Sequence, residues 1–377
     1  MVFTLAFRNL FHDRIRLVVT LVGILFSIVL VAVQLGLYLG ARKMIIGMIE
    51  NAPAEIWITS FGAKSFEEAG SLTGRERFAA LAVPGVRTVV PLVASFAEWR
   101  KPGGGATLSV VVGTDAGDGG LKPWNVIAGS VQDIQAPDAV AVDKTYLEGL
   151  GVTRVGETAQ IESSRIRITA MTDGIRSFTT APYVFTTLDR ARSILNFQRD
   201  QTTFLLVSLE RGASVETVRQ EIAARLKGAN VEVLTKAEFR DRSLDHWLFS
   251  TGAGVALIGG ALLGILVGTV IVAQTLYSST KDHLNEFATL RALGSTSGYI
   301  HRVILLQAAI SATIGYALGM VVALVVVWLS ESTALPVIMT PGLAAGLLAL
   351  TIGMCAISAF AAIMKVTRID PAMVFAR

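Results

Sequence analysis

The sequence predicts a membrane α-helical protein with four transmembrane helices and a large α+β extracytoplasmic domain between helices 1 and 2. Three observations predict it. Of 377 residues, 52% are hydrophobic and only 16% charged, where soluble chains carry about a quarter. Four long runs contain no charged residue, and about 200 residues of mixed character separate the first run from the second.

The chain opens on a short helix, 1–16, with Phe3, Ala6, Phe7, Leu10 and Phe11 on one face and Arg8, His12 and Asp13 elsewhere. Such a helix can lie in the membrane interface, as an anchor or as a partner contact. The first crossing is expected at 17–41, an uncharged run between Arg16 and Arg42. About 20 apolar residues span the hydrocarbon core, and this run is too long for a cleaved signal peptide. The other crossings are expected at 247–280, where the run has length to spare and helix is expected from near Gly252, and at 303–330 and 342–364, joined by a loop at 281–302 and a short one at 331–341, with a tail at 365–377.

Orientation follows from the basic residues. Arg8, Arg14 and Arg16 precede the first crossing, Lys281, Arg291 and Arg302 separate the second from the third, and Lys365, Arg368 and Arg377 follow the fourth. Positive residues favour the cytoplasmic side, so both termini and the 281–302 loop are expected there. Residues 42–246 then form the extracytoplasmic domain. Arg42 and Lys43 stand on the disfavoured side.

Within that domain, "SLTGRERFAALAVPGVRTVVPLV" reads as a helix, a turn and a strand, and "ASFAEWRKPGGGATLSVVVGTD" as two strands about a glycine-rich hairpin. "RIRITAM" and "TTFLLVSL" read as strands, "SVETVRQEIAARLKG" as a helix capped by Ser214 and Gly228, and "NVEVLT" as a closing strand.

The crossings carry a packing pattern. Gly252, Ala256, Gly260, Gly264 and Gly268 recur every fourth residue in the second crossing, and Gly315 and Gly319 do so in the third. Small residues at this spacing let helix backbones approach closely. No charge lies within a crossing, which disfavours an ion-coupled carrier.

No enzyme or metal motif is legible. The chain lacks a G-x-x-x-x-G-K-[ST] loop, an H-E-x-x-H pair and a G-x-S-x-G elbow. The single cysteine, Cys355, lies in an apolar run, and the four histidines are dispersed. The basic residues are scattered among acids rather than gathered into a nucleic-acid-binding surface. A non-catalytic chain without cofactor or nucleic-acid partner is expected.

One polar stretch, "KDHLNEFATLRALGS" at 281–295, sits between two crossings. Asp282 and Glu286 suit the start of a short helix, Arg291 its end, and Gly294 a left-handed cap. Its surface is mostly apolar. A capped connector on the membrane and a docking helix are both compatible with this pattern.

"EFATLRALGST" after a membrane segment resembles the E-x-x-x-L-[RK]-A-[LM]-G signature of the MacB/FtsX-like permeases of ATP-driven transporters, and "RIDPAMVFAR" resembles their C-terminal ending. "LPVIMT", "TIGMCAIS", "LTKAEFRDRSLDHW" and "FAEWRKP" resemble the DevC-type branch. The resemblance implies a homodimeric permease in the cell inner membrane, with a separate ABC ATP-binding subunit that binds ATP and magnesium. That subunit would dock on the short helix, through His283, Glu286, Phe287, Leu290, Arg291 and Gly294; Ala292 also matches the signature. Phe287 departs from the family's usual aliphatic residue. The resemblance further implies a periplasmic membrane-fusion adaptor, an outer-membrane channel and export of an envelope substrate such as a lipid, glycolipid or small molecule. An FtsX-like regulator that activates an extracytoplasmic enzyme is the alternative.

Overall fold

A computed structural model describes residues 2–115, 117, 119–283, 286, 289 and 295–367. They fall into two compact units. One comprises residues 1–40, 255–331 and 336–377, and the other residues 41–254 and 332–335.

The helices are α1 (Val2–His12), α2 (Arg14–Asn51), α3 (Glu76–Leu81), α4 (Leu147–Leu150), α5 (Leu188–Ile194), α6 (Val215–Arg225), α7 (Lys236–Leu244), α8 (Ala253–Asp282), α9 (Ser297–Ser330) and α10 (Pro341–Thr367). Four of them, α2, α8, α9 and α10, are long and apolar enough to cross a membrane. In their unit, Ile24, Ile28, Val272, Val303, Ile304 and Ala359 share a buried cluster. The exposed side chains of the same helices, such as Val22, Leu266, Val321 and Phe360, are also apolar. Hydrophobic side chains on both faces suit a helix in lipid.

Two helix boundaries differ from the expectation and one agrees with it. Helix α2 does not stop at residue 41. Arg42 and Lys43 are exposed while Met44, Ile45, Met48 and Ile49 are buried, so an amphipathic extension to Asn51 continues the apolar run. Within the 247–280 run, helix α8 begins at Ala253, as expected near Gly252, because Asp245–Ser250 form a wide π-helical turn that ends at Gly252. Helix α9 begins at Ser297, six residues before the uncharged run, since His301 and Arg302 are tolerated in its first turns.

The second unit is built on one sheet of β1 (Ile56–Ser60), β2 (Val86–Arg100), β3 (Ala106–Thr114), β4 (Val126–Ala128), β5 (Ala139–Asp143), β6 (Thr158–Ile161), β7 (Ser164–Thr172), β8 (Tyr183–Thr187), β9 (Phe204–Leu209) and β10 (Val231–Thr235). The order is β10-β1-β9-β2-β3-β8-β5-β7-β4, with β6 pairing β2 and β7. Strand β2 is long enough to serve two neighbours: Val86–Leu92 pair with β9 and Val93–Arg100 with β3. The hairpin between β2 and β3 turns through Gly104 and Gly105, both at positive φ, where glycine is unstrained.

Helices cover the sheet through alternating apolar residues. Val218, Ile222 and Leu226 of the α6 region pack with Ile56, Ile58, Leu205 and Val207. Ser214 caps α6 by accepting from Thr217 N, and the helix closes at Leu226, two residues before the expected Gly228, which instead makes a left-handed turn. An aromatic cluster fills another part of the core. Trp57 lies 5.4 Å from Phe204 and 5.1 Å from Phe239, and Phe66 stacks on Phe204 at 5.4 Å.

Candidate functional site

The polar stretch after α8 begins at a charged junction. Asp13 stands between α1 and α2 and caps the latter, its Oδ1 accepting from Arg16 N at 3.2 Å. The Arg16 guanidinium then reaches Asp13 Oδ2 at 3.2 Å and Asp282 Oδ2 at 2.5 Å. Asp282 is the last residue of α8 rather than the first turn of the following helix, a correction to the sequence reading. The α8 backbone simply continues past the apolar run. Its C-terminal carbonyls make that end partially negative, so the Arg16 cation is favoured there twice over.

One residue on, His283 Nδ1 lies 3.1 Å from Glu286 Oε2, and Glu286 is exposed and helical. Phe287, Leu290, Arg291 and Gly294 lie outside the described residues, as do Ala292 and the tail from 368. Of the predicted docking residues, the structure therefore brings His283 and Glu286 together.

The glycines divide into two groups. A Cβ added at Gly260 would stand 2.6 Å from Gln34 Nε2, at Gly264 3.1 Å from Val31 Cγ2, and at Gly268 2.5 Å from Ser27 Cβ. At Gly315 it would meet Ile24 Cγ2 at 2.5 Å, and at Gly319 Ile28 at 3.0 Å. Their partners, residues 24, 27, 28, 31 and 34, follow the three-and-four spacing of one helix side. Helix α2 is thus approached closely by α8 and α9. Ser27 adds a hydrogen bond, donating to Gly264 O at 2.7 Å.

Gly252 is not part of this set. It precedes α8 at φ 81°, where an added Cβ meets nothing within 4 Å, so its fourfold spacing is a coincidence of sequence and its conformation ends the π-helical turn. Sequence reasoning also missed two contacts of α2. Ile338 N donates to Gly36 O at 3.1 Å, and a Cβ at Gly40 would collide with Pro336 O. The "PVI" of the "LPVIMT" segment docks on α2 through these glycines.

The sheet unit holds a buried polar group that no motif announces. Glu67 is 4% exposed, and the Tyr183 hydroxyl donates to its Oε1 across 116 positions of sequence. Burial raises the Glu67 carboxyl above its ordinary value, opposed in part by the Tyr183 hydrogen bond. Burial, reinforced by the neighbouring Glu67 charge, likewise holds Tyr183 well above the usual phenol range, so the phenol stays a neutral donor. Beside it, His246 Nε2 lies 3.2 Å from Glu68 Oε2, and the Trp247 ring is 5.3 Å from Phe178. These contacts fasten the turn that precedes α8 to the domain.

Among the described residues, no group of three His, Cys, Asp or Glu side chains is placed to hold a metal ion.

Two family models match the chain. Residues 17–225 match the model of the MacB-like periplasmic core domain, and residues 258–371 match that of the FtsX-like permease C-terminal region. The chain belongs to the MacB/FtsX-like permease family. No curated protein matches the sequence.

Two solved structures resemble part of this permease. The periplasmic region of MacB from Actinobacillus actinomycetemcomitans is 8% identical, with 52% of this chain and 96% of that one covered at a TM-score of 0.37. The extracellular domain of the noncanonic ABC-type transporter YknZ from Gram-positive bacteria is 14% identical, covering 48% and 99% at 0.35. The assignment rests on the two family models alone. It makes the chain a multi-pass ABC-type permease whose domain between its first and second membrane helices is the family's periplasmic core, and such permeases generally work with an ABC ATPase.

Proposed function

We propose that this permease is the transmembrane subunit of a bacterial ABC-type export complex in the cell inner membrane, with both termini cytoplasmic. The observation that carries this reading is the pairing, in one chain, of a MacB-like periplasmic core with an FtsX-like permease region. In the proposed mechanism, a separate subunit binds and hydrolyses ATP and pushes the segment after α8. The push moves α8 and α2, and these pass the motion to the periplasmic domain.

Two features of the helices favour such transmission. Helix α2 is unbroken from Arg14 to Asn51, and Gly260, Gly264 and Gly268 bring α8 into close contact with its side chains. Coupling needs an element whose two positions both ends can bias, and tightly packed helices shift as units. No charged residue lies within the crossings, in keeping with motion rather than ion flow as the working principle.

The DevC-like motifs favour a homodimer working with a periplasmic adaptor and an outer-membrane channel to export a lipid, glycolipid or small molecule. The docking surface is proposed to include His283, Glu286, Phe287, Leu290, Arg291 and Gly294. Glu286→Arg should leave the protein folded and the complex's ATPase uncoupled from export. Unchanged export in that variant would refute the docking assignment.

The FtsX-like match to residues 258–371 favours a second reading, in which the same motion activates an extracytoplasmic enzyme. The two differ in their partner: an adaptor for export, a hydrolase for regulation.

A further inference from the structure

Four pairs of polar residues, each four apart, converge within the helical unit: Asn9 with Asp13, Arg16 with Thr20 on α2, Thr275 with Ser279 on α8, and Gln307 with Ser311 on α9. All eight line one cavity, closed on its apolar side by Leu10, Leu17 and Leu276. Spacing of four places each of the last three pairs on one helical face.

Most of these groups are satisfied locally. Thr20 Oγ1 donates to Arg16 O at 2.9 Å, Thr275 Oγ1 donates to Ile271 O at 2.9 Å, and Arg16 has its two carboxylates. Three are not. Asn9 Nδ2, Gln307 Nε2 and Ser311 Oγ are buried with no hydrogen-bond partner among the described residues, their residues 7%, 3% and 0% exposed.

An unmet amide or hydroxyl buried inside a bundle is costly. The cavity measures about 10 Å³, close to what the centre of one water molecule requires. One water in reach of all three would accept from the two amides and donate to the Ser311 oxygen. Three bonds are the usual number for a buried water. Either end of an amide can face the cavity, so reversing one leaves the number of bonds unchanged.

We propose that Asn9, Gln307 and Ser311 hold one ordered water that joins α1 to α9 inside the helical unit. The inference rests on the helices and not on the proposed export function. Direct apolar contact between α1 and the bundle is made by Ala6, Val2 and Leu5, and the water adds a polar contact beside it.

The test is radiolytic hydroxyl-radical labelling of the full-length protein in lipid nanodiscs, read by mass spectrometry. Leu17 and Leu276, at the cavity, are 8% and 4% exposed; Leu347, in a separate apolar cluster of the same unit, is 1% exposed and serves as the dry control. The proposal predicts oxidation of Leu276 well above that of Leu347, and its loss in Gln307→Met, which removes one of the three bonds at similar volume. Ser311→Ala should show the same loss if Gln307→Met does not fold. Wild-type Leu276 labelled no faster than Leu347 would mean a dry cavity with orphaned amides and would overturn the proposal, as would labelling of Leu276 that persists in the folded variant.

Discussion

Arg16 Nη2 lies 2.5 Å from Asp282 Oδ2, joining the first turn of α2 to the last residue of α8. The pair ties the start of the first crossing to the end of the second, where the polar stretch begins. The Arg16 side chain is 23% exposed and that of Asp282 57%, so solvent screens much of the attraction.

Loss of this pair should therefore cost little stability. Asp282→Asn is expected to destabilise by about 0.2–1 kcal/mol, the range of exposed ion pairs. The charge swap Arg16→Asp with Asp282→Arg should recover less than the pair is worth, since Asp13 would then face a second carboxylate at position 16 and lose its guanidinium partner. A double-mutant cycle of melting in detergent measures both.

Close helix approach gives a sharper contrast. An alanine methyl at Gly268 would stand 2.5 Å from Ser27 Cβ and 2.9 Å from Met354 Sδ, and a Cβ cannot rotate away. Gly268→Ala should cost about 1–3 kcal/mol. Gly346 and Gly353 have nothing within 4 Å, so alanine there should leave stability unchanged or slightly raised. Thermal melting of the three variants side by side checks the difference.

These contacts also show where the sequence was legible. Uncharged runs longer than about 20 residues located the crossings because lipid demands continuous apolar helix. The fourfold small residues found Gly260, Gly264 and Gly268 but also included Gly252, since spacing alone cannot tell a helical glycine from one that ends a turn. The uncharged run from 247 had length to spare, and Trp247–Phe249 lie in the turn before α8, where Leu248 is buried. Arg42 and Lys43 looked like a stop, but charge on one exposed face does not end a helix whose other face is buried.

Inside the domain, local signals carried further than distant ones. The β2–β3 hairpin and the Ser214 cap were visible because each depends on neighbours in sequence. The Glu67–Tyr183 hydrogen bond was not, because only the folded sheet brings β8 against the segment after β1.

That buried acid predicts a pH dependence. The Glu67 carboxyl is raised above its unfolded value of 4.5 when folded. Its protonated form thus favours folding, a contribution fully present below about pH 4.5 and lost as pH rises through the elevated folded value. Glu67→Gln keeps the neutral form at every pH. Its melting temperature should exceed the wild type's by a margin that grows from acid to alkaline pH, and a constant difference would contradict the sign.

The aromatic cluster predicts a graded response. Trp57 is fully buried, and its indole nitrogen has no partner among the described residues. Trp57→Phe should forfeit contact area without breaking a hydrogen bond, whereas Trp57→Ala should cost about 3–5 kcal/mol. Denaturant unfolding, followed by the fluorescence of the remaining tryptophans, would order the two.

The most direct test of the export assignment is recovery of the tagged protein from its native membranes in mild detergent, with co-purifying proteins identified by mass spectrometry. Export predicts an ABC ATP-binding subunit together with a periplasmic adaptor. An ATPase accompanied by an extracytoplasmic hydrolase would contradict export in favour of regulation, and recovery of the permease without any ATPase would contradict both.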